Sequence, residues 1–175
     1  AQQAGHDVYI DAGRIALEAG HLHPTLTPAP LLYRADLVLL VVRGTEQSLA
    51  LARHVIPVLR TALHEQGSGA DALGMLLIED GPYRAHQVGE ALGTPVIAAL
   101  PHDRDVAHYL TAGGHPPRGY GRSPLLRHAR TATEQIEASA SRRQLQQQYP
   151  AAAPQLAGIL QRLTQQHSAG GVTHG

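Results

Sequence analysis

The sequence predicts an α/β fold, a mainly parallel sheet flanked by helices. Three observations predict it. Apolar, β-prone runs recur at Asp36–Val42, Leu73–Ile78 and Val96–Leu100, and near-continuous apolar runs are the pattern of strands covered on both faces. Between the runs, apolar residues fall at helical spacing, as at Leu49, Ala52, Val55, Ile56, Leu59 and Leu63. Glycine and proline punctuate each change of period, so strands and helices alternate as in βαβ units.

In chain order, Val8–Ile10 reads as a first strand, bounded by Asp7 and delivering Asp11 just past its end, with Gly13 two residues on. A carboxylate and flexible backbone at a sheet's carboxyl edge suit the place where open α/β folds bind ligands. The competing reading is an ordinary Asp/Gly turn. Residues 15–19 predict one helical turn closed by Gly20, and 21–30, with three prolines, a loop. The run from Asp36 to Val42 is the clearest strand. Thr45 caps the next helix and Glu46 suits its first turn; Pro57 predicts a kink or a shortened helix. A third strand follows at Leu73–Ile78, then a helix with Pro82 at its first position, ending at Leu92 and Gly93. Val96–Leu100 is the fourth strand, closed by Pro101. Asp103 starts a short helix that Gly113 and Gly114 terminate. Ser123 and Pro124 open a last long helix with Leu126, Ala129, Ile136 and Ala140 facing inward.

Composition narrows the chemistry. The chain has 175 residues, enough for one domain with a sizeable core. Acidic and basic residues balance at 14 each, so no global field draws nucleic acid or an anionic membrane. Cysteine is absent, which removes disulfides, thiolate catalysis and Cys-based zinc sites and fits a cytoplasmic protein. All 14 basic residues are arginine. Without lysine there is no G-x-x-x-x-G-K-S/T phosphate loop and no Schiff base. The most apolar run, Leu37–Val42, is six residues long, against the ~20 that span a bilayer. Ala1 stands where structure already looks under way, which suggests a fragment or a divergent amino terminus.

Four pieces in this order carry a family resemblance. HDVYIDAGR has Asp7 and Asp11 at the carboxylates of a D-x-x-x-D-x-P-x-G switch segment. ADLVLLVVRGTEQSLALA has Ala35, Asp36, Val42 and Ser48 at the fixed places of a strand-to-helix unit. GMLLIEDGPYRAHQVGEALGTPVIAALPHD matches a late strand, helix and G-x-P-V-x-x-x-x-P-x-D element, and VAHYLTAGGHPP a V-x-x-A-x-x-x-G-x-P loop. Over residues 6–130 the chain resembles the carboxyl-terminal part of the MinD/ParA-like P-loop ATPases, which place septa, partition chromosomes and assist pilus assembly. The resemblance implies a P-loop NTPase-like sheet and an ATP-dependent role in partitioning, positioning or assembly, with ATP and Mg²⁺ held between two subunits. It implies that Asp11 orients water on Mg²⁺, that Gly13 belongs to the switch, and that Pro101, His102 and Asp103 border the base. The sequence departs from the pattern: Gly13 stands where the family has proline, Ile15 where it has glycine, and Ile78 near its base-reading asparagine. Two function classes therefore stay open, an ATPase-family switch and a non-catalytic interaction domain that kept the fold and lost the nucleotide. Either implies a homodimer or a partner protein.

The domain division is 1–143 for the α/β unit and 144–175 for a loosely ordered tail rich in Gln, Ala, Pro and Gly. In the tail, Leu156, Ile159, Leu160 and Leu163 form a short helical stripe with only Arg162 basic nearby, so packing on protein is favoured over membrane binding. His21 and His23 lack a third ligand close in sequence, and the run from Gly113 to Arg122, with its two arginines, reads as a flexible loop.

Overall fold

The computed structural model describes residues 7–148; the tail stripe and the rest of 149–175 lie outside the described residues. Three parallel strands form the sheet, in the order β3-β4-β5: β3 is Val38–Arg43, β4 Leu73–Glu79 and β5 Val96–Pro101. β3 runs beside β4 from Val38↔Leu73 to Arg43↔Ile78, and β4 beside β5 from Met75↔Val96 to Glu79↔Pro101, with one irregularity between Met75 and Leu76. Before the sheet come a small antiparallel hairpin, β1 (Leu17–Glu18) and β2 (His21–Leu22), and a short helix α1 (Ala29–Arg34).

Two helices make the crossovers. α2 (Glu46–Gln66) joins β3 to β4, and α3 (Ala85–Leu92) joins β4 to β5. The apolar stripe of α2 does what its spacing predicts: Ala52, Ile56, Leu59 and Leu63 are buried against Val38, Val42, Leu73, Met75 and Leu77, with Val88 and Leu92 from α3. Leu59, Leu63, Met75 and Leu77 are at most 1% exposed, so this one face of the sheet holds most of the core. α4 (Arg104–Ala112) follows β5, and α5 (Pro124–Gln148) packs along β5 on the opposite face.

Several local signals hold. Thr45 Oγ1 accepts from Ser48 N–H at 3.4 Å, Asp103 Oδ1 from Val106 N–H at 3.2 Å, and Ser123 Oγ from Leu126 N–H at 3.2 Å. Each is the cap its sequence position implies. Gly93 ends α3 with φ 58°, the left-handed conformation glycine adopts most readily.

Other expectations are corrected. Residues 8–10 form no strand: Val8, Tyr9 and Ile10 are 78, 60 and 59% exposed. Instead of a helical turn at 15–19, Ala19 (φ 48°) and Gly20 (φ 80°) make a two-residue turn with both φ positive, and the chain doubles back as β1 and β2. The loop expected at 21–30 contains β2 and the start of α1. It is pinned by buried Thr27, whose Oγ1 accepts from Ala16 N–H (3.1 Å) and donates to Ala16 O (3.0 Å). α2 is not shortened at Pro57, because that ring lies on the exposed side of a helix otherwise held by its buried stripe. Pro82 is not in α3; the helix starts at Ala85, where Gln87 Oε1 accepts from Arg84 N–H at 2.9 Å. α5 runs through the boundary expected at 143/144, and Gln144 Nε2 donates to Asp36 Oδ2 at 3.0 Å. Its deepest positions are Ala132, Ser139 and Arg143, while Leu126, Ala129, Ile136 and Ala140 flank them half-buried.

Candidate functional site

Three loops meet at the carboxyl edge of the sheet: Gly44–Thr45 after β3, Asp80–Arg84 after β4, and His102–Asp103 after β5. The first two are drawn tight. Gly44 N–H donates to Ile78 O at 2.9 Å, Asp80 N–H donates to the same oxygen at 2.8 Å, and Arg43 pairs with Asp80 at 2.5 Å. A shallow depression of about 330 Å³ opens beside them, lined by Arg43, Thr45, Gln47, Ser48, Leu51 and Asp80. It lies over the amino end of α2, whose partial positive charge favours an anion. The protein's own groups already occupy part of that end: Ser48 N–H is held by Thr45, and Ser48 Oγ accepts from Arg43 N–H at 2.9 Å.

Of the candidate residues, Pro101, His102 and Asp103 reach this edge together, as the last residue of β5 and the two that follow. Asp103 is engaged as the cap of α4, and His102 is exposed. Asp11 and Gly13 form a separate unit: Asp11 Oδ1 accepts from Gly13 N–H at 2.8 Å, and Gly13 takes φ 69°. Without a strand at 8–10, no β-sheet carries Asp11 to the carboxyl edge, and its bonded partner is its own turn. Asp11→Asn keeps that acceptor and is expected to leave the unfolding free energy within about 0.5 kcal/mol, whereas Asp11→Ala should cost about 1 kcal/mol. Denaturant titration of both variants checks this.

The stretch ahead of Asp11 touches α5 instead. Tyr9 donates its hydroxyl to Glu137 Oε1 at 3.4 Å. Partial desolvation first, then the charge and hydrogen bond of Glu137 and the charge of Asp7, raise its pKa above the ordinary tyrosine value. The folded state thus favours the neutral phenol. Its stabilising effect is complete below the unfolded pKa of about 10 and is lost as pH rises through the higher folded value. In a tyrosinate absorbance titration, Tyr9→Phe is expected to remove a step lying above the ordinary tyrosine pKa.

At the hairpin, His23 Nδ1 accepts from Thr25 and Leu26 N–H, each at 3.2 Å, and Nε2 lies 3.9 Å from Glu18. That imidazole organises a turn.

The feature that sequence reasoning missed is the outer edge of β3. Gly44 directs its amide to β4, so by strand alternation Val38, Leu40 and Val42 do the same. Leu39, Val41 and Arg43 therefore aim their N–H and C=O groups away from the sheet. Arg43 N–H is taken by Ser48. Among the described residues, no strand pairs with the edge-facing groups of Leu39 and Val41. Their side chains point to the face opposite α2, and Val41 is 59% exposed. This corrects the expectation of a strand covered on both faces: among the described residues, α5 follows β5 and no element covers Val41. The edge carries no proline, bulge or inward charge of the kind that blunts exposed strands. Only the eventual strand order decides which apolar run becomes an edge, so no local signal marked it. No family model, no curated protein and no solved structure matches the chain at a significant level.

Proposed function

We propose that this chain is a non-catalytic protein-interaction domain built on a MinD/ParA-like, P-loop NTPase-like frame, and that it receives an extended segment of another polypeptide along β3. One observation carries the reading: Leu39 and Val41 present edge-facing backbone groups beside an exposed apolar side chain. Strand addition satisfies such groups and lets alternate side chains set specificity. The engagement of Asp11 in its own turn and of Asp103 as the cap of α4 supports it. Hydrogen exchange tests it. A soluble peptide of alternating threonine and valine, added in excess, is expected to slow the amides of Leu39 and Val41 selectively; unchanged exchange there overturns the reading.

The second reading, an ATP-dependent switch in partitioning, positioning or assembly, is favoured by the depression at the amino end of α2 beside the carboxyl edge. There Arg43 and the helix end would take phosphate oxygens, Pro101 and His102 would border the base, and Asp11 would reach Mg²⁺ through water. Asp80 faces the same depression with its own negative charge. Calorimetry with Mg-ATP separates the two: the interaction reading expects no heat of binding, and micromolar affinity would establish the switch.

A further inference from the structure

We infer that the strand received along β3 is β3 of a second copy, paired antiparallel about a two-fold axis at Leu40. This rests on the proposed role of the β3 edge and names its partner.

The free groups select the register. Among the described residues, each copy leaves the N–H and C=O of Leu39 and of Val41 without a strand partner. When Leu39 of one copy faces Val41 of the other, both residues exchange two hydrogen bonds, and the two-fold axis repeats the set. All the free groups of Leu39 and Val41 are then used, on both copies. Shifting the register so that Val41 faces Val41 would set Leu39 opposite Arg43, whose amide is already held by Ser48 at 2.9 Å. Shifting it the other way sets Val41 opposite Leu37, ahead of the strand. Leu40 on the axis occupies a non-hydrogen-bonded position, as the alternation requires.

Charge selects the direction. Asp36 precedes β3 and Arg43 ends it; both are exposed, with Asp36 accepting from Gln144 and Arg43 paired with Asp80 in the single copy. Antiparallel pairing brings Arg43 of each copy to the end where Asp36 of the other lies. Parallel pairing would set Arg43 against Arg43 at one end and Asp36 against Asp36 at the other, which is destabilising. The chain has no net charge to oppose association. On the bare face, the exposed Val41 meets Leu39 of the second copy, an apolar cross-strand pair formed twice. Two three-stranded sheets become one continuous sheet. The contact is a single short ladder, smaller than a standard stable interface, so association is weak and depends on concentration.

The test is sedimentation velocity from micromolar to millimolar protein, read alongside residue-resolved hydrogen exchange. A reversible monomer–dimer equilibrium is expected, with the amides of Leu39 and Val41 slowing as concentration rises. Val41→Lys places a charge where Val41 is solvent-exposed in the monomer and is expected to weaken the dimer roughly tenfold or more. Val41→Pro removes an edge-facing N–H, which an edge strand tolerates, and should act likewise while the monomer keeps its far-ultraviolet dichroism. A chain monomeric throughout the range overturns the inference, as does a dimer unaffected by either variant. If the threonine–valine peptide protects Leu39 and Val41 while the chain fails to self-associate, the second copy is the wrong partner and the edge role stands. If neither protects them, both fail.

Discussion

Gly81→Ala is expected to lower the unfolding free energy by about 3 kcal/mol, from backbone strain and overpacking together. Gly81 has φ 151°, a conformation that residues with a side chain rarely adopt. A Cβ built there lies 2.0 Å from Gly44 O, 2.7 Å from Gly44 C and 3.2 Å from Thr45 N. All three are backbone atoms, so no rotamer change clears the clash. The loops after β3 and β4 must separate, and that pulls on the Gly44 N–H to Ile78 O bond at the sheet's carboxyl edge. Gly93→Ala is the control, because nothing lies within 4 Å of its Cβ position and only the φ of 58° is strained; about 1 kcal/mol is expected. Denaturant titration of both checks the claim. Equal costs would mean that the two loops part readily and that their close approach holds nothing together.

That close approach shows why the sequence was legible in some places and silent in others. Thr45, Asp103 and Ser123 announced helix starts because a side-chain cap is a contact across only a few residues, and Gly93 announced a stop for the same reason. The runs at 36–42, 73–78 and 96–100 read as strands because their length and apolar continuity leave few alternatives. Val8–Ile10 was misread because β-propensity reports packing on a pleated surface rather than a backbone preference, and these three side chains have no such surface. Residues 15–19 were misread because the turn at Ala19 and Gly20 needs a positive φ at an alanine, which residue type does not advertise. The candidate site was partly legible. Pro101, His102 and Asp103 were singled out by the resemblance and lie at the carboxyl edge because β5 ends there, whereas Asp11 depended on a strand that does not form. The bare edge of β3 was invisible, since DLVLLVVR reads identically in the middle of a sheet or at its margin.

The same distinction between local and tertiary signals governs Arg143, which sits on the inward stripe of α5 yet carries a charge. Its side chain is 8% exposed; Nη2 donates to Ser68 O at 2.7 Å and lies 3.7 Å from Asp71 Oδ1, whose side chain is 73% exposed. Nε and Nη1 are buried with no hydrogen-bond partner among the described residues. A guanidinium held this way has lost its water without gaining a close, shielded counter-ion, and replacing such a group by an apolar one of similar length is often stabilising. Arg143→Met is therefore expected to raise the unfolding free energy by about 2 kcal/mol. The substitution gives up one hydrogen bond, worth about 1 kcal/mol, but Ser68 O keeps Gln147 Nε2 at 3.4 Å and α5 keeps the Gln144–Asp36 bond. Arg143→Ala separates charge from packing: it removes the same orphaned donors but leaves a void beneath α5, so it should be less stable than Arg143→Met. Denaturant titration ranks the three proteins. If Arg143→Met is less stable than the parent by 1 kcal/mol or more, the guanidinium is satisfied by groups beyond Ser68 and Asp71, and the end of α5 is held by its charge rather than in spite of it.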